Sequence, residues 1–153
     1  ALCFDSYVYG KLIRFPNNEA IFGKQQIYNE QYQVCGTEPN LLINATEISF
    51  DGLWELVRSY GGVMFPAHVD KTANSLIANL GFIPPDSRFR TAEVKDLKKL
   101  HQLQKDNPYL DKCRIISNSD AHYLEHMNEP ELTLQVEEKT VQGIIDALLD
   151  GAG

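Results

Sequence analysis

The stretch "SFDGLWELVRSYGGVMFPAH", Ser49–His68, constrains the fold most. Ser49 can cap a helix start, and Asp51 sits in the first turn, where the helix dipole favours an anion. Leu53, Trp54, Leu56, Val57 and Tyr60 form one apolar face. Gly61-Gly62 stops the helix. Val63–His68 then reads as a short strand buried on both faces. Helix, glycine turn and buried strand in that order make half of an α/β unit.

The pattern continues downstream. Asn79–Phe89 reads as a loop held open by Pro84-Pro85, and Thr91–Lys95 as a strand. Asp96–Gln104 reads as a helix ended by Pro108. Cys113–Ser117 is another buried strand, Leu132–Glu137 alternates like a strand, and Thr140–Leu149 carries an apolar stripe behind a threonine cap. Upstream, Phe4–Leu12 suggests a short helix and Gln25–Gly36 a hairpin around Asn29-Glu30. The expected class is α/β, with mostly parallel strands, flanking helices and a short hairpin insertion. A barrel, or part of one, fits this alternation.

Titratable residues collect at the ends of two of these strands. His68 ends "VMFPAH"; Asp120 and His122 end "IISNSDAH". In α/β folds, functional groups gather at the C-terminal ends of strands. Imidazole and carboxylate together suit zinc, manganese or iron. At i, i+2 in an extended stretch, Asp120 and His122 would share a face. The bland readings are a satisfied loop histidine at 68 and an Asx-type turn or helix cap at Asp120. His126, one turn after His122, and His101, among lysines and glutamines, read as exposed. Cys113 opens a buried strand and reads as core, not as a nucleophile. Asn44 and Thr46 read as turn residues that bond backbone.

Bulk properties exclude several classes. The net charge of −7 over 153 residues argues against a nucleic-acid partner, which needs a basic face. Three unpaired-looking cysteines fit a reduced, cytoplasmic protein. No apolar run approaches membrane-spanning length, so no membrane association is expected, and the N-terminus lacks a signal-peptide pattern. The absence of an initiator methionine suggests a fragment or processed form.

"GGVMFPAHVDK" followed by "ISNSDAHYLEHM" resembles the PHP (polymerase and histidinol phosphatase) superfamily. "YVYGKLIRFPNNEAIFGKQ", "LLINATEIS" and "LGFIPPDSRF" are similar to segments in the C-terminal part of bacterial PHP-domain metal-dependent phosphoesterases, so the resemblance covers nearly the whole chain. It implies a distorted (β/α)7 barrel with divalent metal ions (zinc, manganese or iron) at the strand rim. By position it makes His68, Asp120 and His122 metal ligands, and gives Asp120 and His122 catalytic roles on a small phosphorylated substrate. The family proline after "AH" is Val69 here. The family's His-x-His motif is absent from the four histidines, so residues 1–153 are expected to form one domain, the second half of a PHP barrel, inactive without the first. Self-association through exposed strand edges is expected. Glu93 would face the rim, with an edge-of-strand salt bridge as its plainer role. Arg88 and Arg90 could face a phosphate, though surface charges are the plainer reading. The alternatives are a non-catalytic PHP-type metal-binding or scaffold module, and a PHP-type nuclease.

Overall fold

The computed structural model describes residues 2–130 and 132–151. The chain divides into two compact units, one through Gly52 and one from Leu53. The class is mixed α/β. Among the described residues four strands form two separate sheets, one antiparallel and one parallel. The expected predominance of parallel strands is therefore corrected, and no closed barrel is formed among the described residues.

The first unit holds α1 (Leu2–Gly10), α2 (Glu19–Phe22) and a hairpin of β1 (Gln26–Tyr28) and β2 (Val34–Thr37). The hairpin matches the sequence expectation, and its connection is closed by Asn29, whose Oδ1 accepts from the N–H groups of Gln31 and Gln33. Leu41 is the one buried hydrophobic residue described in this unit. Polar side chains do the joining instead. Gln25 Nε2 donates to the carbonyls of Glu38 and Asn40, and its Oε1 accepts from Leu42 N–H. Asn44 Nδ2 donates to Ile13 O at 2.8 Å, and Thr46 Oγ1 accepts from Ile48 N–H, so both act as backbone-bonding turn residues, as expected.

The second unit has a true core. α3 (Phe50–Ser59) starts behind Ser49, whose hydroxyl accepts from Gly52 N–H, and stops at Gly61, with φ +73. α4 (Leu76–Leu80) follows, ended by Gly81 in the left-handed conformation, where a side chain would be strained. The Asn79–Phe89 loop begins inside this helix. Next come β3 (Thr91–Glu93), a 3-10 turn running into α5 (Leu100–Asp106), β4 (Arg114–Ile116) and α6 (Val141–Asp150). β3 and β4 pair in parallel, with Ala92 opposite Ile115 and Glu93 opposite Ile116. Ile83, Phe89, Ala92, Tyr109, Leu110 and Cys113 form the buried cluster. The Phe89 and Tyr109 rings meet edge to face at 5.0 Å, and the Tyr109 hydroxyl reaches the carbonyls of Phe89 and Ser87. The last turn of α6 is tied to the sheet: Thr91 Oγ1 donates to Leu148 O and Arg114 Nε to Ala147 O. Those carbonyls lack intrahelical partners, so the sheet satisfies them.

Two expected strands do not form. Residues 132–137 alternate correctly, but a cleft lined by Ile115, Ser117, Leu132 and Leu134 separates them from β4, and none of the described backbone bonds crosses it. A period-two pattern without a ladder partner is not a strand. Val63–His68 gives β3 one described backbone bond, from Glu93 N–H to Pro66 O, because Pro66 has no N–H to continue a ladder; the next, from Val69 N–H to Glu93 O, lies past His68. No helix among the described residues is long and apolar enough to cross a membrane.

Leu110 is fully buried in the cluster, whereas Val141 is 76 % exposed. Leu110→Ala is expected to lower unfolding free energy by about 2–5 kcal/mol. Val141→Ser should stay within about 0.5 kcal/mol. Urea melts of the two variants check this, and equal midpoints would contradict the assigned core.

Candidate metal and catalytic site

Three neighbouring segments deliver the site. β3 lies in the middle, with β4 on one side and residues 66–69 on the other. Glu93 N–H donates to Pro66 O at 3.1 Å, and Val69 N–H donates to Glu93 O at 2.9 Å. Ala67 and His68 are squeezed out between these two bonds as a bulge, and His68 takes φ +29. A proline at 69 could not donate that second bond, so Val69 suits this backbone where the family proline would not. Its side chain is 1 % exposed and joins the core.

Glu93 is 8 % exposed and needs partners for its charge. His68 Nδ1 stands 3.5 Å from its Oε1, and Asn118 Nδ2 donates to its Oε2 at 3.2 Å. Each oxygen thus answers to a different neighbouring segment. Glu93 ends β3 and pairs with His68, the salt bridge expected as its plainer role, and bonded segments flank it on both sides.

Past β4 the chain turns at Asp120, with φ +51. The stretch is therefore not extended at Asp120, as the shared-face argument required. His122 still returns to it, with Nε2 3.7 Å from Oδ1. The other oxygen, Oδ2, holds the ammonium of Lys71. The Lys71 hydrogen bond pulls the Asp120 carboxyl below its ordinary range. Burial opposes this, and the charges of Lys71, His68 and His122 add to the lowering. His68 and Asp120 are also linked through the chain, because Lys71 N–H donates to His68 O at 3.0 Å. The structure thus gathers His68, Asp120 and His122 into one rim.

The remaining candidates lie elsewhere. His126 sits in a 3-10 turn, Leu124–His126, and packs edge-on against Tyr123 at 5.4 Å. His101 is exposed on α5. Burial pushes the Cys113 thiol up to about 11, so it is no nucleophile at neutral pH. Arg88 bonds Glu55 at 2.8 Å and lies over the Trp54 ring, away from the rim groups. Lys71 and Asn118 were not picked out by sequence reasoning. Their only signal was proximity to the motifs, in "AHVDK" and "SNSDAH".

No family model matches the chain, and no curated protein or solved structure was found to match it.

The donors can be tested against a metal. Ligand atoms about 2.0–2.2 Å from a tetrahedral zinc lie about 3.3–3.6 Å from each other. The His68–Glu93 separation of 3.5 Å falls in that range, and the Asp120–His122 separation of 3.7 Å falls just outside it. Asp120 already holds a cation, the Lys71 ammonium. Donor type therefore fits, and of the two spacings only that of His68 and Glu93 does. In number the donors come as two pairs: no group of three His, Cys, Asp or Glu residues converges among the described residues.

Asp70 fastens the loop below the rim. Its Oδ1 accepts from Lys95 N–H at 2.8 Å and its Oδ2 from Asp96 N–H at 3.0 Å. Burial raises its pKa, and these backbone bonds outweigh burial, so the net shift is downward. A carboxylate with a depressed folded pKa stabilises above its unfolded value of about 3.9 and loses that contribution as pH falls through the folded value. Asp70→Asn should therefore be less stable at pH 7 and lose less on acidification below about pH 4. Urea titrations across pH 2–7 check this, and parallel curves for the two proteins would contradict it.

Proposed function

We propose that this rim is part of the active site of a PHP-type metal-dependent phosphoesterase that hydrolyses a small phosphate ester. One observation carries the reading. Among the described residues four non-glycine residues have positive φ, and two of them are His68 and Asp120, on segments that flank β3. His, Asn and Asp tolerate this region better than most residues, yet it still costs energy and concentrates at functional sites. In this reading residues 66–69, β3 and β4 are adjacent staves of a PHP-type barrel.

His68 and Glu93 would hold one divalent ion, and Asp120 and His122 another. Such metals, when bound, acidify a water and polarise phosphoryl oxygens. Glu93 keeps His68 oriented, and Asn118 keeps Glu93 oriented. Asp120 is held ionised at neutral pH and can accept a hydrogen bond from an attacking water. The His122 side chain is 78 % exposed, so it can complete the second ion's shell while facing a bound substrate.

Hydrolysis of p-nitrophenyl phosphate with Mn²⁺ or Zn²⁺, by the longest natural form of the protein, tests the assignment. His68→Ala and Asp120→Ala should each lower kcat/KM by on the order of 100-fold or more, by removing a metal ligand. Wild-type rates in both variants would sink it.

A further inference from the structure

Three arginines line one cleft that the rim does not use. The cleft measures about 450 Å³ and lies within the second unit, between α3, the chain entering β3 and the end of α6. Arg58 comes from α3, and its Nη1 donates to Gly62 O at 2.9 Å. Arg88 and Arg90 flank Phe89, whose own side chain is buried in the core. The Arg88 guanidinium bonds Glu55 at 2.8 Å and stands 5.4 Å from the centre of the Trp54 ring. Arg90 is exposed, and its side chain has no hydrogen bond or ion pair among the described residues. None of the residues lining the cleft is acidic, in a chain whose net charge is −7. Glu55 is the one carboxylate described as bonded to any of the three, so three guanidinium groups stand against a single negative charge.

We propose that this cleft binds an aromatic phosphate monoester, at a site separate from the rim. The unmatched positive charge is what a monoester answers, since at neutral pH it carries close to two negative charges. Guanidinium forks match phosphate oxygens in pairs, with a geometry a lysine does not offer. Arg58 and Arg88 are already held, by Gly62 O and by Glu55, so little of their freedom remains to be lost on binding. Arg90 supplies the arm that closes on the ligand. The rest of the lining suits the ester's body: Trp54 and Phe89 offer rings, and Leu148 an aliphatic wall. That wall is fixed, because Leu148 O accepts from Thr91 Oγ1 and ties α6 to β3. The cleft's volume lies within the range of small-molecule sites, about 300–1,000 Å³. Arg90 immediately precedes β3 and Glu93 ends it, so cleft and rim stand at opposite ends of a strand that rises roughly 10 Å.

Calorimetric titration of 1-naphthyl phosphate into the full chain tests this, with a chelator present so that no metal at the rim takes part. Wild type should bind saturably in the submillimolar range. Arg90→Gln, which breaks no described side-chain bond, should weaken binding about tenfold, and Arg58→Gln similarly. 1-Naphthoate, with one negative charge on the same ring, should bind more weakly than the phosphate. Trp54→Leu should weaken naphthyl phosphate and leave inorganic phosphate unchanged. Asp120→Ala should bind like wild type. Melting curves of the same proteins establish that each is folded. No saturable binding by wild type, or an Arg90→Gln protein that binds as tightly as wild type, overturns the site. Binding lost in Asp120→Ala and kept in Arg90→Gln would move the phosphate to the rim and overturn it equally. Naphthoate bound as tightly as naphthyl phosphate would overturn the choice of a phosphate ester.

Discussion

The rim depends on a buried carboxylate. Glu93 ends β3 at 8 % exposure, and a charge so placed is costly unless both oxygens find partners. The partners come from opposite sides: His68 from the segment before β3 and Asn118 from the chain after β4. The same residue's backbone N–H and C=O close the bulge that forces His68 into its unusual conformation. One residue therefore fixes, through side chain and backbone together, where both flanking loops end. Asp120, Lys71 and His122 lie on those two loops and meet across them.

Much of this was readable before the structure. The strands at 91 and 114, the helices at 50, 100 and 141 and the hairpin at 26 follow from periodicity, caps and glycine stops, which are local properties. The candidate trio His68, Asp120 and His122 was readable as residue types at strand ends. What could not be read is pairing. Leu132–Glu137 has the alternation of a strand and no partner. Val63–His68 has the composition of one, and Pro66 interrupts its ladder. For Glu93 a salt bridge at the strand's end was readable, but not that bonded segments would flank it on both sides. Lys71 escaped notice because nothing in "HVDK" says that its head crosses to a residue far along the chain.

The two units are built on different terms. Residues from Leu53 onward share an aromatic and aliphatic core, in which the Tyr109 hydroxyl bonds two carbonyls. The first unit buries only Leu41 among its described hydrophobics and leaves Ile21, Tyr32 and Ile43 more than two thirds exposed. Side chain to backbone bonds from Gln25 and Asn44 hold it instead, and the Glu38 carboxylate accepts from Tyr9 and Asn40. Net gains from such bonds are modest, about 1 kcal/mol each. Stability should therefore be concentrated in the unit that carries the rim, which suits donors whose spacing must be held to a few tenths of an ångström.

The central claim is that the ends of these adjacent segments form a divalent-metal rim. Anomalous diffraction from crystals grown with Zn²⁺ addresses it without reference to any substrate. The account predicts a zinc peak within coordination distance of Asp120 Oδ1 and His122 Nε2. Zinc bound only at other residues would contradict it.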